Sequence, residues 1–144
     1  MTAPRLLIDT SVVLYALGAP SPWRDDCTAV VEAVADGGIG GFASTQMVQE
    51  ALHHRLRVTG DRARSVSQCS ELQALVTLLA FDEVVLGRAM GLVRDTDTVR
   101  GRDAVHAATA LVHGIDRIVS TDSAFDHVPG LARLTPAQAL ALAK

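Results

Sequence analysis

Short apolar runs alternate along the chain with longer segments in which apolar residues recur every three or four positions. The first run, residues 5–8, stops abruptly at the polar triplet 9–11. Continuous apolar runs of this length are typical of strands that are buried on both faces, as in a parallel sheet. Runs of this kind predict strands at 5–8, 39–43, 76–81, 115–120 and 131–134.

Helices are predicted between these strands. In 24–35 the apolar residues fall on one stripe of a helix. Ser44 or Thr45 is the predicted N-cap of the next helix, and Asp82 is the predicted N-cap of a later one. The predicted helices cover 12–17, 24–35, 45–58, 62–74, 83–94, 102–113 and 137–143, with a short helical turn at 122–126. Strands that alternate with helices predict an α/β fold with a mainly parallel sheet.

Composition and charge limit the kind of protein this is. Of the 144 residues, 49% are hydrophobic and 20% are charged, which suits a single domain covering residues 1–144. The formal net charge of −3 argues against a protein that holds nucleic acid by charge alone. Cys27 and Cys69 show no metal-ligand spacing and are expected to be ordinary core or near-surface residues, with free thiols favoured over a disulfide. Without a signal peptide or an apolar run of about 20 residues, we expect a soluble cytoplasmic protein with no membrane contact.

Four acidic residues are predicted to meet at one edge of the sheet. Asp9 directly follows the first strand, and Asp122 follows the fourth. Asp103 opens the helix that leads into the fourth strand, and Glu50 lies in the helix after the second. Ligands of parallel sheets bind beyond the carboxyl ends of the strands, so we expect the chemistry at this edge.

A cluster of four carboxylates needs a counter-charge. Two unit charges about 4 Å apart repel by roughly 4 kcal/mol at an effective dielectric of about 20, so the acids either share protons or bind a cation. All-oxygen ligand sets suit hard ions, here Mg²⁺ with Mn²⁺ as the alternative. Such ions serve mainly in phosphoryl chemistry, where they activate water and offset charge on the phosphate oxygens.

Each acid taken alone also has a purely structural interpretation. Asp9 and Asp122 stand where they would cap the helical segments that follow them. Asp103 stands where it would favour the helix dipole. Glu50 would be an ordinary solvated helix residue. The joint placement of the four acids is what favours a functional site.

The segments around these acids resemble the four acidic motifs of PIN-domain ribonucleases, in particular the VapC-type toxins of bacterial toxin–antitoxin pairs. The similar segments are 6–14 (LLIDTSVVL), 48–51 (VQEA), 102–110 (RDAVHAATA) and 118–125 (IVSTDSAF). The motifs occur in the family's order and span nearly the whole chain. The resemblance implies a PIN-like three-layer sandwich whose five-stranded sheet has the order 3-2-1-4-5.

The resemblance further implies a metal-dependent endoribonuclease that cleaves RNA phosphodiester bonds with a metal-activated water. Asp9, Asp103 and Asp122 would be the metal ligands. Glu50 would hold a metal-bound water or a second ion, which makes these four acids the expected catalytic residues. The implied partners are RNA, a cognate antitoxin protein and a second copy of the chain, with apolar positions of 24–34 and 51–75 offering the protein interfaces.

Several residues near the four acids are expected to have supporting functions in the site. By the resemblance, Thr10 and Thr121 support the site through hydrogen bonds to carboxylates or substrate. Asp126 is either an auxiliary acid or a cap of its turn. Arg100 and Arg102 precede Asp103 in the chain, and they either hold flanking RNA phosphates or are ordinary solvated charges.

Three further expectations concern residues other than the four acids. His106 stands one helical turn after Asp103 and is expected to support the site or to pack in the core. The basic stretch 55–64 is expected at the surface, with RNA contact as the alternative. Met47 and Met90 are expected in the core.

Two other functions remain open at this point. A metal-dependent phosphatase of small molecules would also use clustered acids, but aspartyl-phosphate phosphatases carry Asp-x-Asp after the first strand, where this chain has Asp9-Thr10-Ser11. A non-catalytic module that binds RNA or a protein partner would retain the acids only as helix caps. Cleavage of RNA that is lost on chelation of the metal separates these functions from a ribonuclease.

Overall fold

Five strands form one fully parallel sheet in the computed structural model, which describes residues 2–144. The strands are β1 (Arg5–Ile8), β2 (Gly40–Ser44), β3 (Thr77–Leu79), β4 (Arg117–Val119) and β5 (Ala132–Leu134). Their order across the sheet is β3-β2-β1-β4-β5, which confirms the predicted order. β1 is central, with Leu7 opposite Phe42 of β2 on one side and Ile118 of β4 on the other.

Helices connect the strands and cover both faces of the sheet. They are α1 (Thr10–Leu17), α2 (Arg24–Ala35), α3 (Thr45–Thr59), α4 (Arg62–Leu75), α5 (Glu83–Asp95), α6 (Gly101–Val112) and α7 (Pro136–Leu142), with a 3₁₀ turn at Ser123–His127. The predicted caps are confirmed, because Ser44 accepts a hydrogen bond from Gln46 N and Asp82 accepts one from Val85 N. Such caps satisfy amide groups that the first helical turn leaves unpaired.

Two apolar clusters, one on each face of the sheet, make the fold a three-layer sandwich. Leu6 and Ile8 point to the cluster formed with α1, α2, α3, α4 and α7. Leu7 points to the opposite cluster, formed with α5 and α6. Successive side chains of a strand alternate between faces, and both faces are covered here. This is why residues 6–8 of β1 form a continuous apolar run.

The last three strands are shorter than the sequence pattern predicted. The third runs from Thr77 to Leu79 within the predicted 76–81, and the fourth from Arg117 to Val119 within 115–120. Val76 and Ile115 are still buried at the ends of these runs. Apolar character follows burial, and burial continues beyond the residues that pair in the sheet.

Three expectations about burial need correction. Met47 is buried as expected, but Met90 is 61% exposed, so its assignment to the core was wrong. Arg55 was expected at the surface and is 4% exposed, with its Nε donating to Gln68 Oε1. Segment 24–34 exposes no large apolar side chain, whereas Val58 and Val66 in 51–75 are exposed as expected and α5 exposes four more. Those on α5 are Val84, Leu86, Met90 and Val93.

Both cysteines have free thiols, as expected. Cys27 and Cys69 are buried. Across the described part of the chain, none of the helices has both the length and the apolar character required to cross a membrane.

Candidate active site

A cavity of about 560 Å³ opens where β1 and β4 end at their carboxyl termini. All four predicted acids line it. Its lining residues are Asp9, Thr10, Ser11, Leu14, Tyr15, Glu50, Arg102, Asp103, Thr121, Asp122 and Ser123. We call this cavity the acidic pocket. Residues from four separate parts of the chain therefore meet as the parallel topology predicts.

Asp9 is positioned by the sheet and by two serine hydroxyls. Its backbone N–H donates to Val119 O at 3.0 Å, which ties the end of β1 to the end of β4. Its carboxylate does not cap α1. Instead, Oδ2 accepts hydrogen bonds from Ser11 Oγ at 2.8 Å and from Ser120 Oγ at 2.7 Å. The capping interpretation therefore fails for Asp9, which is 5% exposed and held in one orientation.

The same two hydroxyls fix the turn that carries Asp122. Ser120 Oγ accepts from Asp122 N at 3.0 Å, and Ser11 Oγ accepts from Thr121 N at 3.3 Å. Asp122 does cap the 3₁₀ turn, because its Oδ1 accepts from Ala124 N at 2.8 Å. Its capping therefore occupies one carboxylate oxygen while the residue still lines the acidic pocket.

Glu50 is neither exposed nor unpaired. Its side chain is 14% exposed, and its Oε1 lies 2.8 Å from Nε2 of His106. The same ring nitrogen lies 3.2 Å from Oγ1 of Thr10 and 4.0 Å from Oδ1 of Asp9. The interpretation of Glu50 as a solvated helix residue is thus wrong, and Thr10 contacts His106 rather than a carboxylate.

The titration of the acids reflects these surroundings. Burial and the nearby charges of Asp9 and Asp122 raise the pKa of Asp103 from its usual 3.8 to about 6. Burial also acts to raise the pKa of Glu50, but the hydrogen bond and charge of His106 outweigh it and hold that pKa below its usual value. For His106, burial opposes the charged form, yet the hydrogen bond that its ring donates to Glu50 and the charge of Asp9 raise the pKa overall.

Comparison with known proteins agrees with this geometry. A profile of the PIN domain matches residues 6–131. Ribonuclease VapC7 of Mycobacterium tuberculosis (strain ATCC 25618 / H37Rv) is 31% identical over 133 residues, which cover 91% of this chain and 91% of that protein. The chain belongs to the VapC-type ribonucleases of the PIN-domain family.

Solved PIN-domain structures share the fold at lower identity. VapBC2 from Rickettsia felis, bound to a DNA fragment from its promoter, gives a TM-score of 0.70 at 14% identity and covers 91% of this chain and 98% of that one. A toxin–antitoxin complex from Klebsiella pneumoniae gives 0.68 at 17% identity, with coverages of 91% and 97%. Both comparisons support the PIN fold. The PIN-domain match includes all four acids and ends at residue 131, just before β5.

The acidic pocket fits a hard divalent cation by donor type and charge. Within residues 2–144, Oδ1 of Asp9, Oδ2 of Asp122 and both carboxylate oxygens of Asp103 accept no hydrogen bond. These are oxygen donors of the kind that Mg²⁺ prefers. In the same part of the chain, no three His, Cys, Asp or Glu side chains are grouped closely enough to hold one ion as they stand. The fit therefore lies in chemistry rather than in a preformed coordination shell.

Two predicted residues lie outside the lining of this PIN-domain pocket. Arg100 is exposed at the N-cap position of α6, whereas Arg102 does line the pocket. Asp126 forms an ion pair with Arg133, with Oδ1 2.6 Å from Nε. Arg133 also donates from Nη1 to Ser120 O at 3.1 Å. Asp126 thus reaches the site only through Arg133 and the backbone of Ser120.

Sequence reasoning missed the serine pair and understated His106. Ser11 lies two residues after Asp9, and Ser120 two residues before Asp122, so proximity to an acid in the chain was an available signal. His106 lies three residues after Asp103, a spacing that places both on one side of α6. Its contact with Glu50, 56 residues away, had no such signal.

Proposed function

We propose that this PIN-domain ribonuclease is a Mg²⁺-dependent endoribonuclease that acts as the toxin of a toxin–antitoxin pair, with Mn²⁺ as an alternative ion. One observation carries the proposal. Asp9, Asp103 and Asp122 line one pocket, and their mutual repulsion adds to burial in raising the pKa of Asp103 to about 6. Repulsion of this kind is relieved when a cation binds.

In this proposal Asp9, Asp103 and Asp122 would hold the ion. When bound, Mg²⁺ supplies Lewis acidity, which eases deprotonation of a water and offsets charge on the phosphate oxygens. The reaction would be a hydrolysis, in which water attacks the phosphorus atom and the bond to the departing ribose oxygen breaks. It requires no covalent intermediate on the protein.

The chain's own residues would bind, orient and accept protons. Ser11 and Ser120 hold Asp9 in one orientation through the hydrogen bonds to its Oδ2. Glu50 would accept a hydrogen bond from the attacking water. Arg102, which lines the acidic pocket, would bind an RNA phosphate next to the one being cleaved. Arg100 would contact RNA, if at all, outside the pocket. A substrate of this kind is in keeping with the cytoplasmic location expected from the sequence.

A neighbouring cavity supports the proposed antitoxin partner. This cavity, of about 590 Å³, shares Ser11, Leu14 and Tyr15 with the acidic pocket and is lined mostly by apolar surface. An apolar peptide segment that fills it would end beside the acids. A basic residue on that segment would then neutralise the same charges that a metal ion does.

The proposed homodimer is supported by the exposed face of α5. Leu86, Met90 and Val93 lie on one side of this helix and leave 44–61% of their surfaces exposed. A cluster of exposed apolar side chains on a folded protein is typical of a protein interface. We therefore place the dimer contact on α5 rather than on the segments expected from the sequence. Analytical ultracentrifugation of the purified protein checks the oligomeric state.

RNA cleavage assays test the function directly. The purified protein is incubated with a panel of bulk tRNA and rRNA in Mg²⁺, in Mn²⁺ and in EDTA. We expect endonucleolytic products with either ion, none in EDTA, and none from Asp9→Asn. A parallel incubation with p-nitrophenyl phosphate measures small-ester hydrolysis.

The outcomes separate the competing functions. RNA products that persist in EDTA would contradict the metal dependence. Turnover of the small ester without RNA cleavage would favour a phosphatase. Absence of both activities, with a folded protein and both ions tested, would overturn the proposed enzyme and favour a binding module.

A further inference from the structure

His106 lies beneath the acidic pocket and connects two of its motifs. It projects from α6, three residues after Asp103, and is 1% exposed. Its Nε2 meets Oε1 of Glu50 on α3 at 2.8 Å and Oγ1 of Thr10 on α1 at 3.2 Å. One ring nitrogen therefore joins three helices at the base of the pocket.

The chemistry of the partners assigns the direction of the hydrogen bond. An ionised carboxylate can only accept, so Nε2 carries the hydrogen and donates it to Glu50 Oε1. In residues 2–144, no other basic side chain lies within 4.0 Å of this carboxylate. Gln46 makes a weaker side-chain hydrogen bond to the same carboxylate. The orientation of Glu50 in the pocket thus depends mainly on His106.

A packing function alone does not explain a histidine at this position. Its other ring nitrogen, Nδ1, is buried and has no hydrogen-bond partner among the described residues. Leaving a polar atom buried and unpaired is destabilising, and an apolar side chain of similar size would avoid that cost. The hydrogen bond made by Nε2 is what a leucine here could not supply.

We propose that His106 is a positioning residue that directs the carboxylate of Glu50 into the acidic pocket. The inference rests on the proposed ribonuclease function, since Glu50 acts on the attacking water there. His106 itself touches neither RNA nor water in this scheme. It acts by restricting Glu50 to one rotamer and by keeping that carboxylate from turning towards solvent.

Two substitutions separate positioning from packing. His106→Leu keeps the volume and removes the donor, and His106→Gln keeps a donor. Loss of an outer hydrogen-bond partner typically lowers activity 10- to 100-fold. With the RNA that wild type cleaves fastest, we expect kcat of His106→Leu to fall by about that factor with KM unchanged. His106→Gln should recover at least several-fold of the loss.

A matched control comes from the same helix. Thr109 is buried, and its hydroxyl donates only to Val105 O within α6. Thr109→Val should alter the melting temperature without changing kcat. If Thr109→Val lowers kcat as much as His106→Leu does, the effect is general damage to α6 and the proposal fails.

A double-mutant cycle tests whether His106 acts through Glu50. If it does, adding His106→Leu to Glu50→Gln causes no further loss, because the residue being positioned is already disabled. Losses that multiply would overturn the proposal, as would wild-type kcat in His106→Leu.

A spectroscopic measurement tests the His106–Glu50 hydrogen bond without an activity assay. In ¹⁵N-labelled wild type, long-range ¹H–¹⁵N spectra should show His106 protonated at Nε2, and Glu50→Gln should shift that nitrogen while leaving the His127 signals in place. An Nε2 without hydrogen, or one insensitive to Glu50→Gln, contradicts the inference. A wild type that cleaves no RNA but shows the coupled signals would refute the proposed function and leave the His106–Glu50 bond established.

Discussion

The two sides of the acidic pocket differ in how their negative charge is compensated. On the α3 side, Glu50 is hydrogen bonded to His106, and its pKa lies below the usual value. On the α6 side, Asp103 accepts no hydrogen bond from the described residues, and its pKa is raised to about 6. Both carboxyl groups are partly buried and belong to the same pocket.

The difference comes from their neighbours rather than from burial. Burial acts to raise the pKa of both groups. For Glu50 the effect of His106 outweighs it, whereas for Asp103 the charges of Asp9 and Asp122 add to it. A residue of the protein thus supplies the counter-charge on one side. On the other side the charge of His106 does not outweigh burial and the charges of Asp9 and Asp122, and there we propose that the cation binds.

The largest expected effect is on RNA cleavage, which should fall more for a substitution of Asp103 than for one of Glu50. Asp103→Asn should lower kcat/KM for RNA about 1000-fold, or about 4 kcal/mol, because it would remove a ligand of the proposed ion. Glu50→Gln should lower it about 100-fold, the scale of losing a group that orients or deprotonates water. Single-turnover cleavage at saturating Mg²⁺ measures both. The opposite ranking would place the ion on the Glu50 side.

Metal binding should stabilise the fold through the α6 side of the acidic pocket, which carries Asp103, and not through the Glu50 side. At ten times its dissociation constant, Mg²⁺ adds about 1.4 kcal/mol, which corresponds to a melting temperature higher by roughly 5 °C. We expect this shift in wild type and in Glu50→Gln, and its loss in Asp103→Asn. Differential scanning calorimetry with and without Mg²⁺ measures these shifts in melting temperature. Thr109→Val is the control for altered baseline stability. A shift retained in Asp103→Asn would count against the assigned ligands.

The two acids should give opposite pH dependences of stability in metal-free buffer. The pKa of Asp103 is raised on folding, so the folded state binds the extra proton, and stability falls as the pH rises from about 3.8 to about 6. The lowered pKa of Glu50 has the reverse sign, because its contribution is present above its usual 4.5 and is lost as the pH falls through the lowered value.

Urea denaturation in EDTA at several pH values measures these slopes. Asp103→Asn should be more stable than wild type at pH 7 by about 1 kcal/mol, after allowance for solvent screening of a half-exposed group, and equal to it near pH 3.5. Glu50→Gln should be destabilised at pH 7. Equal stability of wild type and Asp103→Asn across the range would contradict the repulsion inferred for the acidic pocket.

The sequence predicted the residues of this pocket better than their partners. Asp9 and Asp122 could be placed because they directly follow strands, and a parallel sheet brings strand ends to one edge. The strand order came from the family resemblance and is confirmed. Which donor each carboxylate meets depends on side-chain packing between distant segments. The bond from Ser120 to Asp9 spans 111 residues, so no local pattern encodes it.

Burial on helices was predictable where the whole apolar stripe packs on the sheet and failed where the stripe is wider than the packed face. Met47 lies on the stripe of α3 that faces the sheet and is buried. On α5 the apolar residues at 85, 89 and 92 are buried, but those at 86, 90 and 93 lie beside them and are exposed, so periodicity did not show that Met90 faces solvent. Arg55 was misassigned for a related reason, since its aliphatic stem packs inward while Nε bonds to Gln68.

The smallest expected effect concerns an acid whose charge is already paired. Asp126 forms a partly exposed ion pair with Arg133, and ion pairs of this kind contribute little to stability because solvent screens them. Asp126→Asn should therefore leave the urea midpoint nearly unchanged and change kcat/KM less than about threefold. Arg133→Met should cost more, because the bond from Nη1 to Ser120 O is also lost and Ser120 orients Asp9. If Asp126→Asn instead matched the loss of activity seen for Asp103→Asn, Asp126 would be a catalytic acid. In that case, pairing with a neighbouring basic side chain would not distinguish structural from catalytic carboxylates in this protein.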